Sequence, residues 1–134
     1  MSETIRIPID CDADIIVARQ NGRQMATPLG FSAVDLTMIA TAISELARNI
    51  IMYAQRGVIE LQIQDSNGRE GIVVCARDEG PGIADIEQAL RIGYSSSGQL
   101  GLGLPGVRRL MDEMQIESQP GQGTVVVARK WRPR

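Results

Sequence analysis

Histidine is absent from the 134 residues, and lysine occurs once, at Lys130. The first absence excludes a Ser-His-Asp triad, a phosphoaccepting histidine and most zinc sites, all of which need imidazole. The second excludes a P-loop, whose lysine must follow the glycines of GxxxxGK. Phosphate chemistry in this chain must therefore rely on backbone amides, arginine and metal. Only two cysteines occur, Cys11 and Cys75, and no CxxC. Cys75 lies inside the apolar run IVVCA and reads as a small buried residue rather than half of a disulfide. No apolar run approaches the ~20 residues that span a bilayer. MSETIRIPID has no basic region followed by an apolar one, so it is not a signal peptide. With a formal net charge of −2, neither nucleic acid nor membrane is expected as a partner, and the cytoplasm is the natural location.

A hydrophobic fraction of 43% and a charged fraction of 22% describe an ordinary globular chain, read as one domain over residues 1–134. IRIPI at 5–9 alternates but holds Pro8, which marks an edge strand. A helix is expected from a cap at Asp12 or Asp14 until Pro28 and Gly30 disrupt it. A longer one runs from a Ser32 cap to about Gln55. VIELQIQ at 58–64 and GIVVCARD at 71–78 read as strands around a turn at 65–70. A short helix is expected near 85–91, and 93–104 has no usable period and a flexible composition. PGVRRLMDEM from Pro105 reads as a helix with proline near its first position. QPGQG at 119–123 is a turn, and TVVVARKW is a closing strand. The irregular alternation predicts a two-layer α/β sandwich, a mixed sheet with helices on one face.

In the long helix, Ile39, Ile43, Leu46, Ile50 and Tyr53 recur at steps of four and three and form the core stripe. Glu45 and Asn49 stack one turn apart, roughly a quarter-turn from that stripe. There they border the core and can line a cleft; taken alone, the pair reads as a solvated helix edge. Downstream, Gly101–Gly103–Gly106 spells a literal GxGxxG. It follows a Ser/Gly-rich loop late in the chain instead of an opening strand, so a Rossmann reading fails on context. A glycine-rich loop entering a helix offers exposed N–H groups and a positive helix end to an anion.

Glu45/Asn49, DEGPG at 78–82, GQLGLGL at 98–104 and GQGT at 121–124 follow one another in the order of the four boxes of the GHKL ATPase/kinase superfamily, which the chain resembles. Within it, AISELARNI, DEGPGI, GYSSSGQLGLGLPGVRRLMDEM and the lack of histidine are similar to the RsbT-type serine/threonine kinases of bacterial stressosomes. The resemblance implies a Bergerat fold that binds ATP and Mg²⁺. It implies Asn49 as the Mg²⁺ ligand and Glu45 as the base that deprotonates the attacking hydroxyl. Asp78 would accept the adenine amino group, with Gly80 and Gly82 admitting the base and Thr124 bonding beside it. Gly101 and Gly103, with the neighbouring amides of Gly98, Leu102 and Leu104, would hold the phosphates. The implied substrates are STAS-domain stressosome proteins, and the implied partner after release is a PP2C-type phosphatase. The alternative is an anti-sigma factor of the related RsbW or SpoIIAB kind, which sequesters a sigma factor. A chaperone or DNA-processing ATPase would need transducer domains, and a histidine kinase a histidine-bearing dimerisation segment.

Overall fold

The computed structural model describes residues 4–80, 103–118 and 121–133. The expected short helix near 85–91 lies outside them. Strand β1 spans Thr4–Ile9, helix α1 Asp12–Ala26 and helix α2 Ala33–Ala54. Strands β2 (Gly57–Ser66) and β3 (Arg69–Asp78) follow, then helix α3 (Gly103–Leu110) and strands β4 (Glu113–Ser118) and β5 (Thr124–Trp131).

The cap of α1 falls at Cys11, one residue before the expected aspartates, because Asp14 reaches back: its Oδ2 accepts the N–H groups of Asp10 at 2.8 Å and Cys11 at 3.2 Å. Thr27–Leu29 makes one tighter turn before Gly30 stops the helical path at φ 86°. The Ser32 cap of α2 is as expected, its Oγ accepting the Asp35 N–H at 3.1 Å. Of the expected stripe, Ile39, Ile43, Leu46 and Ile50 are buried, but Tyr53 is 44% exposed. The last turn of α2 holds Tyr53 outside the core and presents Ala54 to the backbone of Gly80 instead. The turn between β2 and β3 is only Asn67–Gly68, with both φ values positive (56° and 75°). That backbone belongs to the tight hairpin turn whose twist matches the flanking strands, and Asn-Gly is the pair that adopts it at least cost.

The sheet runs β1-β2-β3-β5-β4, and each of these neighbours pairs antiparallel. The two-layer sandwich stands as expected; the mixed sheet does not. Two consecutive helices between β1 and β2 return the chain to the end it left, so Ile9 faces Gly57. Parallel neighbours would need a crossover ending at the opposite end. β4 is a further correction. MDEM continues the expected helix by composition, yet α3 stops at Leu110 and Glu113–Ser118 alternates exposed and half-buried residues as an edge strand.

One sheet face carries the helices. Its row Ile7–Ile59–Ala76–Val126–Ile116 runs straight across the five strands. Together with Ile43, Leu46, Ile50 and Val107 it belongs to a single apolar cluster. Replacing any of the fully buried Ile or Leu residues by Ala costs about 2–5 kcal/mol. On the opposite face, Glu60 pairs with Arg77 at 2.8 Å and Arg6 at 3.3 Å. Cys75 sits among them as a buried residue, as expected; burial pushes its thiol pKa up, so it is no reactive thiolate.

Candidate functional site

α2 is the axis of the site. Its apolar stripe is fixed against the sheet, which leaves the neighbouring strip, with Glu45 and Asn49, half-buried at the helix edge. The Glu45 side chain retains only 12% exposure. Oε1 pairs with the Arg48 guanidinium one turn on, and Oε2 accepts the backbone N–H of Gly103 at 3.3 Å. The helix carboxylate and the end of the glycine-rich stretch, 58 residues apart in sequence, thus meet at the first residue of α3. Gly103 opens that helix with φ 56°, two residues before the expected start at Pro105. The Asn49 amide has no hydrogen-bond partner among the described residues.

At the far end of α2, Gly80 packs on the main chain of Tyr53 and Ala54, where an added Cβ would lie 2.6 Å from the Ala54 Cβ. The turn after β3 is thereby held one helical turn beyond Asn49. Asp78 ends β3, opposite Thr124 of β5, which is in turn opposite Ser118 of β4. Asp78 Oδ1 accepts the Gly80 N–H at 2.9 Å, and Oδ2 has no hydrogen-bond partner among the described residues. The hydroxyls of Ser118 and Thr124 lie 2.9 Å apart, and Ser118 donates to the Gly123 carbonyl at 3.0 Å. Asp78, Ser118, Gly123 and Thr124 line an open cleft of about 500 Å³, together with Ile116, Glu117, Gln122 and Val125. That is ample for a nucleoside-sized ligand.

Of the residues singled out from sequence, Glu45 and Gly103 are in contact, Asp78, Gly80 and Thr124 form one cluster, and Asn49 lies on the helix between the two groups. The Leu104 side chain is buried in the core, at 8% exposure, so any contact it makes with a ligand is through its backbone. Gly82, Gly98, Gly101 and Leu102 lie outside the described residues. Sequence reading missed Arg48, whose three-residue spacing from Glu45 was its signal. It also missed Ser118, hidden in the unrecognised strand β4.

The donor set fits Mg·ATP. A carboxylate, a hydroxyl pair beside it and an amide oxygen one turn from a second carboxylate are the groups such a ligand uses. Among the described residues no three His, Cys, Asp or Glu side chains cluster as a metal site. A magnesium ion held by the Asn49 amide oxygen would need its remaining ligands from phosphate and water, which is usual for that ion.

The model of the family described as "Histidine kinase-like ATPase domain" matches residues 9–130. Among curated proteins, the serine/threonine-protein kinase RsbT of Bacillus subtilis is 48% identical over 131 residues, 98% of each chain. The anti-sigma F factor of Thermoanaerobacter sp. is 33% identical, over 72% of this chain and 71% of its own. That of Pasteuria penetrans is 32% identical, over 69% and 65%. Among solved structures, that of the RsbU and RsbW domains of a Mycobacterium tuberculosis protein superposes with a TM-score of 0.63 at 20% identity. It covers 99% of this chain and 33% of the larger one. That likeness concerns the fold.

Proposed function

The chain belongs to the histidine kinase-like ATPase family, as an RsbT-type member, and we propose that it is a protein serine/threonine kinase using Mg·ATP. We assign it STAS-domain stressosome proteins as substrates, a PP2C-type phosphatase as the partner it activates once released, and a cytoplasmic location. No helix among the described residues is long and apolar enough to cross a membrane. The observation that carries the reading is the hydrogen bond from Gly103 N–H to Glu45. It sets a carboxylate beside the backbone that leaves the glycine-rich stretch, where transferring phosphates would be held.

When bound, Mg·ATP supplies the phosphoryl group, and the metal neutralises the charge that develops during transfer. Asn49 would offer the metal an uncharged oxygen, so that ligand adds no negative charge of its own next to the phosphates. Asp78 Oδ2 accepts an exocyclic amino proton, and Thr124 flanks it. The Gly103 region meets phosphate oxygens with backbone N–H groups at the positive end of α3. Glu45 takes the proton of the attacking Ser or Thr hydroxyl. Arg48, with 47% of its side chain exposed, holds the carboxylate by a surface side chain rather than by main chain, and its departure would free an oxygen for that hydroxyl.

Incubation with Mg·ATP and a STAS-domain protein, followed by phosphosite mapping, tests the proposal. Phosphate on a serine or threonine is expected, and its absence with every STAS protein from the source genome overturns the assignment. The anti-sigma F relatives support a second reading, sequestration of a sigma factor. Pull-down against a sigma factor and a PP2C-type phosphatase separates the two. Capture of the phosphatase alone is expected.

A further inference from the structure

Lys130, the chain's single lysine, occupies a position where the strand pattern calls for an apolar residue. In β5, Val126 and Ala128 face the helices and are buried, and Lys130 follows on the same face at 8% exposure, opposite Ile72. An ammonium in such a place is far costlier than a methionine or leucine unless its protons are met. One is met at α3, where Nζ donates to the carbonyl of Leu110, the last residue of the helix, at 2.8 Å, and the charge lies 3.8 Å from Asp112 Oδ1.

Two further bonds join the same end of α3 to β5. Asp112 N–H donates to the Arg129 carbonyl at 2.9 Å, and Trp131 N–H donates to Asp112 Oδ2 at 2.8 Å. A cation on the last carbonyls also complements the negative end of the helix. The opposite end of this eight-residue helix is Gly103, bonded to Glu45. At 1.5 Å per residue the two ends are only about 12 Å apart, and one short helix moves as a rod.

We infer that Lys130 is a positioning residue for phosphate binding: by gripping the C-terminal carbonyl of α3, it sets the axial position at which the helix's first residues meet Glu45 and the nucleotide. The inference rests on the kinase reading proposed above. Apolar packing through Leu104 and Val107, both buried, keeps α3 on the core without the lysine. What the ammonium adds is the helix's placement along its own axis. The site and its remote anchor are therefore parts of one lever.

Lys130→Met keeps the apolar stem and removes the ammonium. Calorimetry with Mg·ATP is expected to show affinity lowered roughly 5- to 10-fold, at the low end of ordinary coupling between separate sites. KM for ATP rises, and kcat at saturating ATP changes little. Affinity equal to wild type, with free and ATP-bound melting temperatures lowered by the same amount, makes the lysine merely structural and overturns the inference. A wild-type measurement covers the case of a variant that does not fold. In protein labelled with ¹³C,¹⁵N-lysine the Lys130 side chain gives one signal, expected to shift on saturation with Mg·ATP; an unmoved signal overturns the inference. Wild type that does not bind ATP removes the kinase reading itself, whereas binding unaltered by Lys130→Met removes this inference alone.

Discussion

Glu45 has two duties in the proposed mechanism that separate variants can divide. Its carboxylate would take the substrate proton, and it also holds the first N–H of α3. Glu45→Gln keeps an oxygen for Gly103 and loses the base. Phosphoryl transfer is expected to fall by the ~10²–10⁴-fold typical of a lost general base, with ATP affinity retained. Glu45→Ala is expected to show the same loss of transfer and, in addition, weaker ATP binding, both read from initial rates and calorimetry. Equal ATP affinity in the two variants would mean that the Gly103 contact does not position the phosphate-binding end. Gly123 makes a different demand. Its φ is 87°, and an added Cβ would lie 2.2 Å from the Asp78 carbonyl oxygen. Gly123→Ala therefore combines backbone strain with a clash against main chain that cannot swing away. It is expected to cost at least ~2 kcal/mol in urea unfolding.

Helix α1 depends on a carboxylate in its first turn. The backbone N–H of Asp10 and then that of Cys11 hold the Asp14 carboxyl below its ordinary pKa. A depressed folded-state pKa means that the charged form favours the native state. This contribution is complete above the ordinary carboxylate value of about 3.9 and is lost as pH falls through the lower native one. Asp14→Asn is therefore expected to melt below wild type at pH 7, with the gap closing on acidification; a gap independent of pH would contradict the role. Most elements were legible in the sequence because their signals are local. Ser32 and the apolar stripe delimit α2, Pro8 marks an edge, and Asn67–Gly68 lies within the expected turn. Strand β4 was not, since Leu110, Met111 and Met114 extend a helical period and only the pairing of Met114 with Ala128 decides against it. In the site, the Glu45/Asn49 face followed from helix geometry. Its contact with Gly103 and the anchor at Lys130 did not, because each joins residues brought together only by the tertiary fold.

For the whole molecule, both ends of the site rest on one apolar cluster, so ligand and fold are thermodynamically linked. ATP at 100 times its dissociation constant adds about 2.7 kcal/mol, which in a chain of this length raises the melting temperature by roughly 8–10 °C. Asn49→Ala is expected to remove the part of that rise that depends on magnesium, as thermal melts with ATP, with and without the metal, will show. A rise in Asn49→Ala as large as in wild type would remove Asn49 as the ligand. The pairing of Asp78 with Thr124 has a consequence in time as well as in space. β1, β2 and β3 are adjacent strands joined to α1 and α2 within the first 78 residues. The β3–β5 ladder must instead wait for everything from 79 to 123 to be spanned. Closing so long a loop is slow, because its entropy is lost before any contact repays it. The proposed adenine end of the site is thus built by the most non-local step of folding. A chain still emerging from the ribosome would hold Glu45 and Asn49 in a formed helix yet lack the Asp78–Thr124 pairing until β5 arrives.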